Sequence, residues 1–301
     1  MELGMIGLGR MGANMTERLL LAGHRMAVYD IDSSAVQRAA ALGAIGSPSI
    51  EALVRALKPP RAIWLMVPAG EVVETTLNEL ESFLQEGDIA VDGGNSNYKD
   101  TIRRAATLAS KGIHFVDVGT SGGIWGLREG YCLMIGGSTE VVYRLQTIFQ
   151  SLAPSADRGW AHVGPVGAGH FVKMVHNGIE YGLMQAYAEG FALLHKKTEF
   201  GLDLARIAEL WRQGSVVRSW LLDLTAQALA VDPQLKGILP YVNDSGEARW
   251  AVAEAIDANV AAPIIALSLF QRIQSRDADG FENKLLAVMR NKFGGHDLRK
   301  E

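Results

Sequence analysis

The sequence predicts an α/β domain with a mainly parallel sheet, followed by an all-helical domain. Over the first half of the chain, short apolar runs alternate with helical periodicity, a pattern typical of parallel strands joined by helices. Beyond the turn at Gly164-Pro165-Val166-Gly167, only helical periodicity continues. We therefore predict two domains, residues 1–164 and residues 165–301.

The elements of the first domain follow from apolar runs and the segments between them. Continuous apolar runs predict strands that are buried on both faces of the sheet. The predicted strands are Leu3–Ile6, Arg25–Tyr29, Ala62–Val67, Asp88–Asp92, His114–Val118 and Cys132–Ile135. The predicted helices are Met11–Ala22, Ser49–Ala56, Gly70–Leu84, Tyr98–Ser110 and Thr139–Leu152.

The second domain is predicted to begin with an unusually long helix. Helical periodicity runs from about Gly167 to His195, roughly 28 residues, which is long for a globular protein. Further helices are predicted at Leu202–Arg212, Trp220–Ala230, Glu247–Ala258, Pro263–Arg276 and Gly280–Asn291.

Composition excludes several classes of function. The chain of 301 residues has 29 basic and 33 acidic side chains and a net charge of −4, so we expect no nucleic-acid partner. No stretch without charged residues is longer than Ala258–Gln271, which is too short to span a bilayer. No basic-then-apolar signal precedes the first strand. We therefore expect a soluble cytoplasmic protein that does not bind a membrane.

Cysteine and histidine usage predicts neither a disulfide nor a metal site. The single cysteine, Cys132, excludes an internal disulfide, and its apolar neighbours suggest that it packs in the core. The seven histidines show no metal-ligand spacing, so no metal is expected.

A glycine-rich turn after the first predicted strand indicates a dinucleotide site. Gly7-Leu8-Gly9-Arg10-Met11-Gly12 opens the first helix, the context in which this fingerprint binds a pyrophosphate. Asp30 ends the second strand, where a carboxylate accepts hydrogen bonds from the adenine ribose and repels a 2′-phosphate. Since Ile31 and Asp32 follow, no arginine is placed to receive that phosphate. We predict a Rossmann-type domain that prefers NAD over NADP, although Asp30 could also be an ordinary surface acid.

A stripe of polar residues on the long helix predicts one wall of an active site. Lys173, His176, Asn177, Glu180 and Tyr181 have the spacing of a single helical face, between flanking segments that are apolar or small. A general-base lysine must be neutral, and burial or nearby cations favour that state. Taken singly, each residue could be an ordinary helix side chain. Together they favour catalysis.

Three motifs resemble those of the decarboxylating 6-phosphogluconate dehydrogenases, a family within the β-hydroxyacid dehydrogenases. They are Asp92-Gly93-Gly94-Asn95-Ser96, Gly119-Thr120-Ser121-Gly122-Gly123, and the segment from Gly167-Ala168-Gly169-His170 to Tyr181. The resemblance extends to the tail Arg290-Asn291-Lys292-Phe293-Gly294-Gly295-His296, so it covers nearly the whole chain. The chain resembles the short, NAD-type form, which lacks the second helical repeat of the long members.

The resemblance implies an oxidative decarboxylation of 6-phosphogluconate to ribulose 5-phosphate and CO2, in the pentose phosphate pathway. Lys173 would be the general base and Glu180 the general acid. Ser121, Gly122 and Gly123 would receive the C1 carboxylate, His176 and Asn177 would bind hydroxyls, and Tyr181 and Arg272 would contact the 6-phosphate. Asn95 would lie between cofactor and substrate, and Val67 would be a further cofactor contact.

The tail and one internal segment carry the residues expected to bind the substrate phosphate. In the family, an arginine and a histidine of the tail reach the neighbouring subunit's active site, and Arg290 and His296 match them in spacing. The resemblance therefore implies a homodimer or homotetramer; a solvated basic terminus is the alternative. At the family's usual phosphate-binding lysine and threonine, this chain has Ser245 and Glu247, so its phosphate contacts must be rearranged.

Two other functions remain open from the sequence. A non-decarboxylating β-hydroxyacid dehydrogenase of the 3-hydroxyisobutyrate or tartronate-semialdehyde type would use the same lysine without needing Glu180 as an acid. A non-catalytic NAD-binding sensor would need neither Lys173 nor Glu180.

Overall fold

A computed structural model describes residues 1–294 and 297–299. The chain forms two compact units, Met1–Asn177 and Gly178–Glu301. The first turns of the long helix group with the sheet, so this division falls later than the sequence-predicted domain boundary, and a boundary near residue 164 stays a prediction.

The first unit is built on a mainly parallel sheet. Over the described residues its strands are β1 (Glu2–Ile6), β2 (Arg25–Tyr29), β3 (Ile45–Gly46), β4 (Ala62–Leu65), β5 (Ile89–Asp92), β6 (His114–Ser121), β7 (Cys132–Gly136) and β8 (Trp160–Gly164). Their order is β3-β2-β1-β4-β5-β6-β7-β8, and every neighbouring pair is parallel except β6 and β7. The strand order reverses between β1 and β4, so the glycine-rich turn after β1 lies at the switch point where such sheets bind ligands.

Helices connect these strands and bury an apolar cluster on each face of the sheet. They are α1 (Arg10–Leu21), α2 (Ser33–Ala41), α3 (Ile50–Arg55), α4 (Glu71–Glu81), α5 (Tyr98–Ala109), α6 (Gly126–Glu129), α7 (Thr139–Arg144) and α8 (Gln146–Leu152). Trp64 faces one cluster, while its strand neighbours Ile63 and Leu65 face the other. The predicted α/β class is confirmed.

The structure corrects several details of the sequence analysis. Strands β3 and β8 and helix α2 were not predicted. β3 is two residues long, and β8 alternates between half-buried and exposed positions at the sheet edge. The predicted helix over residues 139–152 is interrupted at Leu145. The prediction that Cys132 packs in the core is wrong: it is the first residue of β7 and is exposed.

Every regular element in the described residues of the second unit is a helix. Its elements are the later turns of α9 (Ala168–Lys196), then α10 (Leu204–Trp211), α11 (Trp220–Val231), α12 (Glu247–Asp257), α13 (Pro263–Gln274) and α14 (Phe281–Gly294). Asp203 caps α10 and Ser219 caps α11, each accepting a hydrogen bond from a backbone N–H of the first turn. The predicted long helix and the all-helical second half are confirmed.

The helices of the described residues were compared with the length and hydropathy of membrane-spanning helices. None combines the length and apolar character that a bilayer crossing requires.

Candidate active site

The glycine-rich turn has the geometry of a phosphate-binding loop. Gly7 has a φ of +95°, and a Cβ there would lie 2.4 Å from the Met66 carbonyl oxygen. A Cβ on Gly12 would lie 2.0 Å from the Gly7 carbonyl oxygen. The chain's own packing therefore requires both glycines. Gly9 differs, because nothing lies within 4 Å of its Cβ position, at the N-terminus of α1. An open glycine at a helix N-terminus is what the close approach of a pyrophosphate requires, so the residues fit a dinucleotide.

Asp30 lies directly after β2 and contacts the glycine-rich turn. Its Oδ2 accepts a hydrogen bond from the Leu8 N–H at 2.5 Å, and its Oδ1 accepts one from the Asp32 N–H at 2.7 Å. Each carboxylate oxygen has a second lone pair for a ligand hydroxyl. Ile31 is almost fully exposed beside it. Asp30 is thus held at the edge of the predicted nucleotide site.

The loop after β5 carries Asn95 and is shaped by a buried carboxylate. Asp92 accepts hydrogen bonds from the Gly94 N–H at 3.1 Å and the Ser96 hydroxyl at 2.6 Å. These contacts fold the loop back on the strand end and leave Asn95 exposed. A Cβ on Gly94 would lie 3.1 Å from the carbonyl oxygen of Val67, so both predicted cofactor-contacting segments adjoin one another.

A salt-bridge network that the sequence analysis missed supports this loop. The Arg104 guanidinium is buried, donates to Glu74 at 2.9 Å and to the Gly70 carbonyl at 3.1 Å, and lies 3.9 Å from Asp92. Hydrogen bonds from Arg103 and Arg104 lower the pKa of Glu74 to about 2. Arg104 thereby connects the loops after β4 and β5. The sequence did not indicate this role, because Arg104 is one of several charged residues on α5.

Ser121 ends β6 and starts the predicted carboxylate-binding loop. Gly122 follows with a φ of +133°, a conformation that a side chain rarely adopts. The Tyr131 ring lies beneath this loop: a Cβ on Gly122 would lie 3.2 Å from the Tyr131 ring, and one on Gly126 would overlap it. Ser121 is therefore presented at the carboxyl end of a strand, where ligands bind in sheets of this kind.

Lys173 and Asn177 lie on the buried face of α9 within the first unit. Lys173 is 6% exposed and Asn177 is 4% exposed. A Cβ on Gly119 would lie 2.4 Å from the Lys173 Cβ, so the helix contacts β6 two residues before Ser121. His176, half-buried, lies with Nδ1 3.3 Å from the Asn177 amide oxygen.

Cys132 lies beside this part of the site. It is the ladder partner of Ser121 across β6 and β7. Partial desolvation raises the pKa of the Cys132 thiol, and the nearby Lys173 charge opposes that shift. A thiol next to two predicted site residues is a feature that an apolar run alone could not reveal.

Tyr181 and Arg272 are brought together within the second unit. The Arg272 guanidinium stacks 3.8 Å from the centroid of the Tyr181 ring and donates to the Asn243 carbonyl at 3.1 Å. Burial raises the pKa of Tyr181, and Glu247 acts in the same direction, so the phenol keeps its proton at neutral pH. Glu180 precedes Tyr181 on α9 and is half-buried.

The two residues at the expected phosphate-binding positions contact Tyr181. Its hydroxyl lies 3.4 Å from the Ser245 hydroxyl and 3.5 Å from the buried Glu247 carboxylate, to which Ser245 donates a short hydrogen bond. A carboxylate and two hydroxyls therefore share this corner with the Arg272 guanidinium. Arginine is the residue here whose planar donors suit a phosphate.

Of the two predicted tail residues, only Arg290 lies within the described part of the chain. Arg290 lies on α14 and is exposed. His296 lies outside the described residues.

Two family models together match nearly the whole chain. A model described as the NAD binding domain of 6-phosphogluconate dehydrogenase matches residues 2–164, and one described as the C-terminal domain of that enzyme matches residues 169–297. The NAD(+)-dependent, decarboxylating 6-phosphogluconate dehydrogenase of Haloferax volcanii is 41% identical over 302 residues, covering 100% of this chain and 99% of its own length.

Longer relatives match in part of their length. The NADP(+)-dependent, decarboxylating enzyme of Bacillus subtilis is 37% identical over 289 residues, covering 91% of this chain and 61% of its own. The solved structure of Plasmodium falciparum 6-phosphogluconate dehydrogenase superposes with a TM-score of 0.84 at 27% identity, covering 100% of this chain and 66% of that chain. The match thus spans nearly the whole length of the Haloferax relative and about two thirds or less of the length of the other two.

Proposed function

The chain belongs to the 6-phosphogluconate dehydrogenase family, and from that membership we propose that it oxidatively decarboxylates 6-phosphogluconate to ribulose 5-phosphate and CO2, with hydride transfer to NAD. The observation that carries the proposal is that both family domains match, over residues 2–164 and 169–297. The second of them favours decarboxylation over the simple β-hydroxyacid dehydrogenase reaction. Such an activity would serve the pentose phosphate pathway or gluconate utilisation, in the cytoplasm.

Lys173 is the proposed general base. NAD, when bound, supplies a hydride acceptor. Lys173 takes the proton from the substrate 3-hydroxyl as the hydride leaves C3, which forms a β-keto acid. The burial of Lys173 against β6 supports this role, because it holds the lysine on the strand that ends at Ser121. Once protonated, the same group stabilises the enolate oxygen that develops as CO2 leaves.

Glu180 is the proposed general acid for the last step. Loss of CO2 leaves an enediol, and a proton must be added at C1 of the product, which was C2 of the substrate, to give the ketose. Glu180 is half-buried on the helix that also carries Lys173, seven positions after it in the chain. A base and an acid on one helix can therefore act in successive steps on the same small sugar acid.

The remaining proposed contacts bind the carboxylate and the hydroxyls of the substrate. Ser121, Gly122 and Gly123 bind the C1 carboxylate, and His176 and Asn177 bind hydroxyls. Their support is the half-buried carboxyl end of β6 and, on α9, the buried Asn177 beside the half-buried His176. Asn95 lies between cofactor and substrate on a loop held by Asp92.

Tyr181 and Arg272 contact the 6-phosphate in this proposal. Support comes from the stacked guanidinium and from the protonated phenol beside it. Arg290 and His296 complete the phosphate site from a second copy, which requires a homodimer or a multiple of it. The exposed apolar side chains of α14, including Phe281, support association with a second copy.

The activity is tested by assaying the purified chain with 6-phosphogluconate and, separately, with 3-hydroxyisobutyrate. We expect NADH and CO2 to form in equal amounts from 6-phosphogluconate. NADH from 3-hydroxyisobutyrate without CO2 would instead support the simple dehydrogenase. Binding of NAD without turnover of either substrate would support the sensor.

The cofactor preference is a separate proposal that rests on Asp30. We expect wild type to use NAD with a higher kcat/KM than NADP. Replacing Asp30 with asparagine keeps its shape but removes the charge that repels a 2′-phosphate, so the NAD-to-NADP ratio of kcat/KM should fall on the order of tenfold. Asp157→Asn is the control, because it makes the same change in charge at an exposed position outside the glycine-rich turn and the loop after β2. Equal use of both cofactors by wild type would refute the proposal.

The phosphate contact of Arg272 predicts a selective loss of affinity. Arg272→Met removes the guanidinium but keeps an extended side chain, so the KM for 6-phosphogluconate should rise about 10–100-fold with kcat nearly unchanged. Arg206→Met, an exposed arginine on α10, is the matched control. An unchanged KM in the Arg272 variant would show that the phosphate lies elsewhere.

A further inference from the structure

A buried carboxylate on β6 is joined to the start of the helix that carries Lys173. Asp117 is 0% exposed. Its Oδ1 accepts a hydrogen bond from the Gly167 N–H at 2.7 Å, and its Oδ2 accepts one from the His170 N–H at 2.8 Å. Gly167 directly precedes α9 and His170 lies in its first turn, where backbone N–H groups have no partner within the helix. Asp117 therefore caps α9 from a strand fifty residues earlier in the chain.

Neighbouring glycines leave this carboxylate little room to move. A Cβ on Gly136, the ladder partner of Asp117 on β7, would lie 2.4 Å from Oδ1. A Cβ on Gly169 would lie 2.9 Å from Oδ2 and 2.7 Å from the Asp117 carbonyl oxygen. The helix thus lies directly on the strand, and a carboxylate at a helix N-terminus is also stabilised by the helix dipole.

Two further residues of β6 lie on the same face of the strand as Asp117. Because strand side chains alternate between faces, Asp117, Gly119 and Ser121 point the same way. Asp117 caps α9, Gly119 contacts the Lys173 Cβ, and Ser121 begins the proposed carboxylate-binding loop. One strand therefore sets the position of Lys173 relative to that loop.

We infer that Asp117 is a positioning residue for the reaction: it fixes the base Lys173 relative to the loop at Ser121–Gly123. The inference rests on the proposed function, since it assumes that both parts act on one substrate. A displacement of a reacting group by about 1 Å can lower turnover about 100-fold. Asp117 itself does not touch the substrate in this scheme.

The test is Asp117→Asn, which keeps the side-chain shape. Its amide NH2 would face a backbone N–H, so one of the two capping hydrogen bonds is lost. We expect kcat to fall at least about tenfold while the Kd for NAD stays within about twofold, because the nucleotide-binding turn is unaffected. The primary isotope effect with 3-deuterated substrate should increase, because hydride transfer becomes slower than the other steps. A merely structural role would not change this isotope effect.

The matched control is Asp203→Asn, which makes the same substitution at the cap of α10. We expect its kcat and isotope effect to equal those of wild type. If Asp117→Asn does not fold, Gly119→Ala replaces it, since a methyl group there overlaps Lys173 and should give the same signature.

Hydrogen exchange separates this inference from the proposed function. Backbone amides at residues 167–173 should exchange faster in Asp117→Asn, while those of β1 and β4 remain protected. This result is independent of turnover, so an inactive wild type would refute the proposed function and leave the capping role measurable. A folded Asp117→Asn variant with wild-type kcat, isotope effect and exchange would overturn the inference, as would a loss of NAD binding in parallel with activity.

Discussion

Replacing Lys173 with methionine is expected to lower kcat about 100- to 10,000-fold, the contribution of a positioned general base. Methionine fills a similar volume in the buried position but cannot take the proton from the 3-hydroxyl. Hydride transfer then lacks its proton acceptor, so no burst of NADH should form in the first turnover. The affinity for NAD, measured by titration, should be unchanged because the nucleotide turn after β1 is intact.

The control for this variant is Lys196→Met, at the far end of the same helix. It removes one positive charge and should retain wild-type kcat. A Lys173→Met enzyme that turns over within about threefold of wild type would refute the base assignment. A parallel loss of NAD affinity would instead indicate that the substitution damages the first unit as a whole.

The sequence predicted the elements whose residues carry a local pattern. β1, β4 and β5 are buried on both faces, so they appear as continuous apolar runs. α9 could be predicted as one long helix because no proline interrupts the chain between Pro165 and Pro233. β3 and β8 lie at the sheet edges, where partial exposure removes the apolar run.

The contacts that organise the site could not be predicted from such patterns. Asp117 reads as one acid within an apolar strand, and its partner Gly167 is fifty residues away. Cys132 was assigned to the core because its neighbours are apolar, yet it opens β7 opposite Ser121 at the exposed end of the ladder. Long-range pairing decides both cases, and a single sequence does not encode it locally.

The phosphate end illustrates the same limit. Ser245 and Glu247 could be recognised as departures from the family's pattern, but their effect depends on what they contact. In the structure they hydrogen-bond with each other and approach Tyr181, leaving the Arg272 guanidinium as the cation stacked on that ring. This is the physical basis for expecting a loss of substrate affinity when Arg272 is replaced.

Replacing Glu180 with glutamine is expected to lower steady-state kcat about 100- to 10,000-fold, by a mechanism that differs from that of Lys173→Met. Glutamine keeps the size of the side chain but has no acidic proton. Hydride transfer and CO2 release precede the protonation of C1, so both should still occur in the first turnover. Rapid mixing should show a burst of NADH close to the concentration of active sites, followed by slow turnover. Glu189→Gln, exposed on the same helix, should behave as wild type.

The pair of variants therefore orders the two proton transfers. A burst in Glu180→Gln and none in Lys173→Met would place the lysine before hydride transfer and the glutamate after loss of CO2. Solvent deuterium gives an independent readout, since the proton added at C1 comes from the acid and exchanges with water. If Glu180→Gln shows neither a burst nor CO2 release, the glutamate acts before decarboxylation and its assignment as the final acid is wrong. If it turns over like wild type, water or another side chain protonates the enediol.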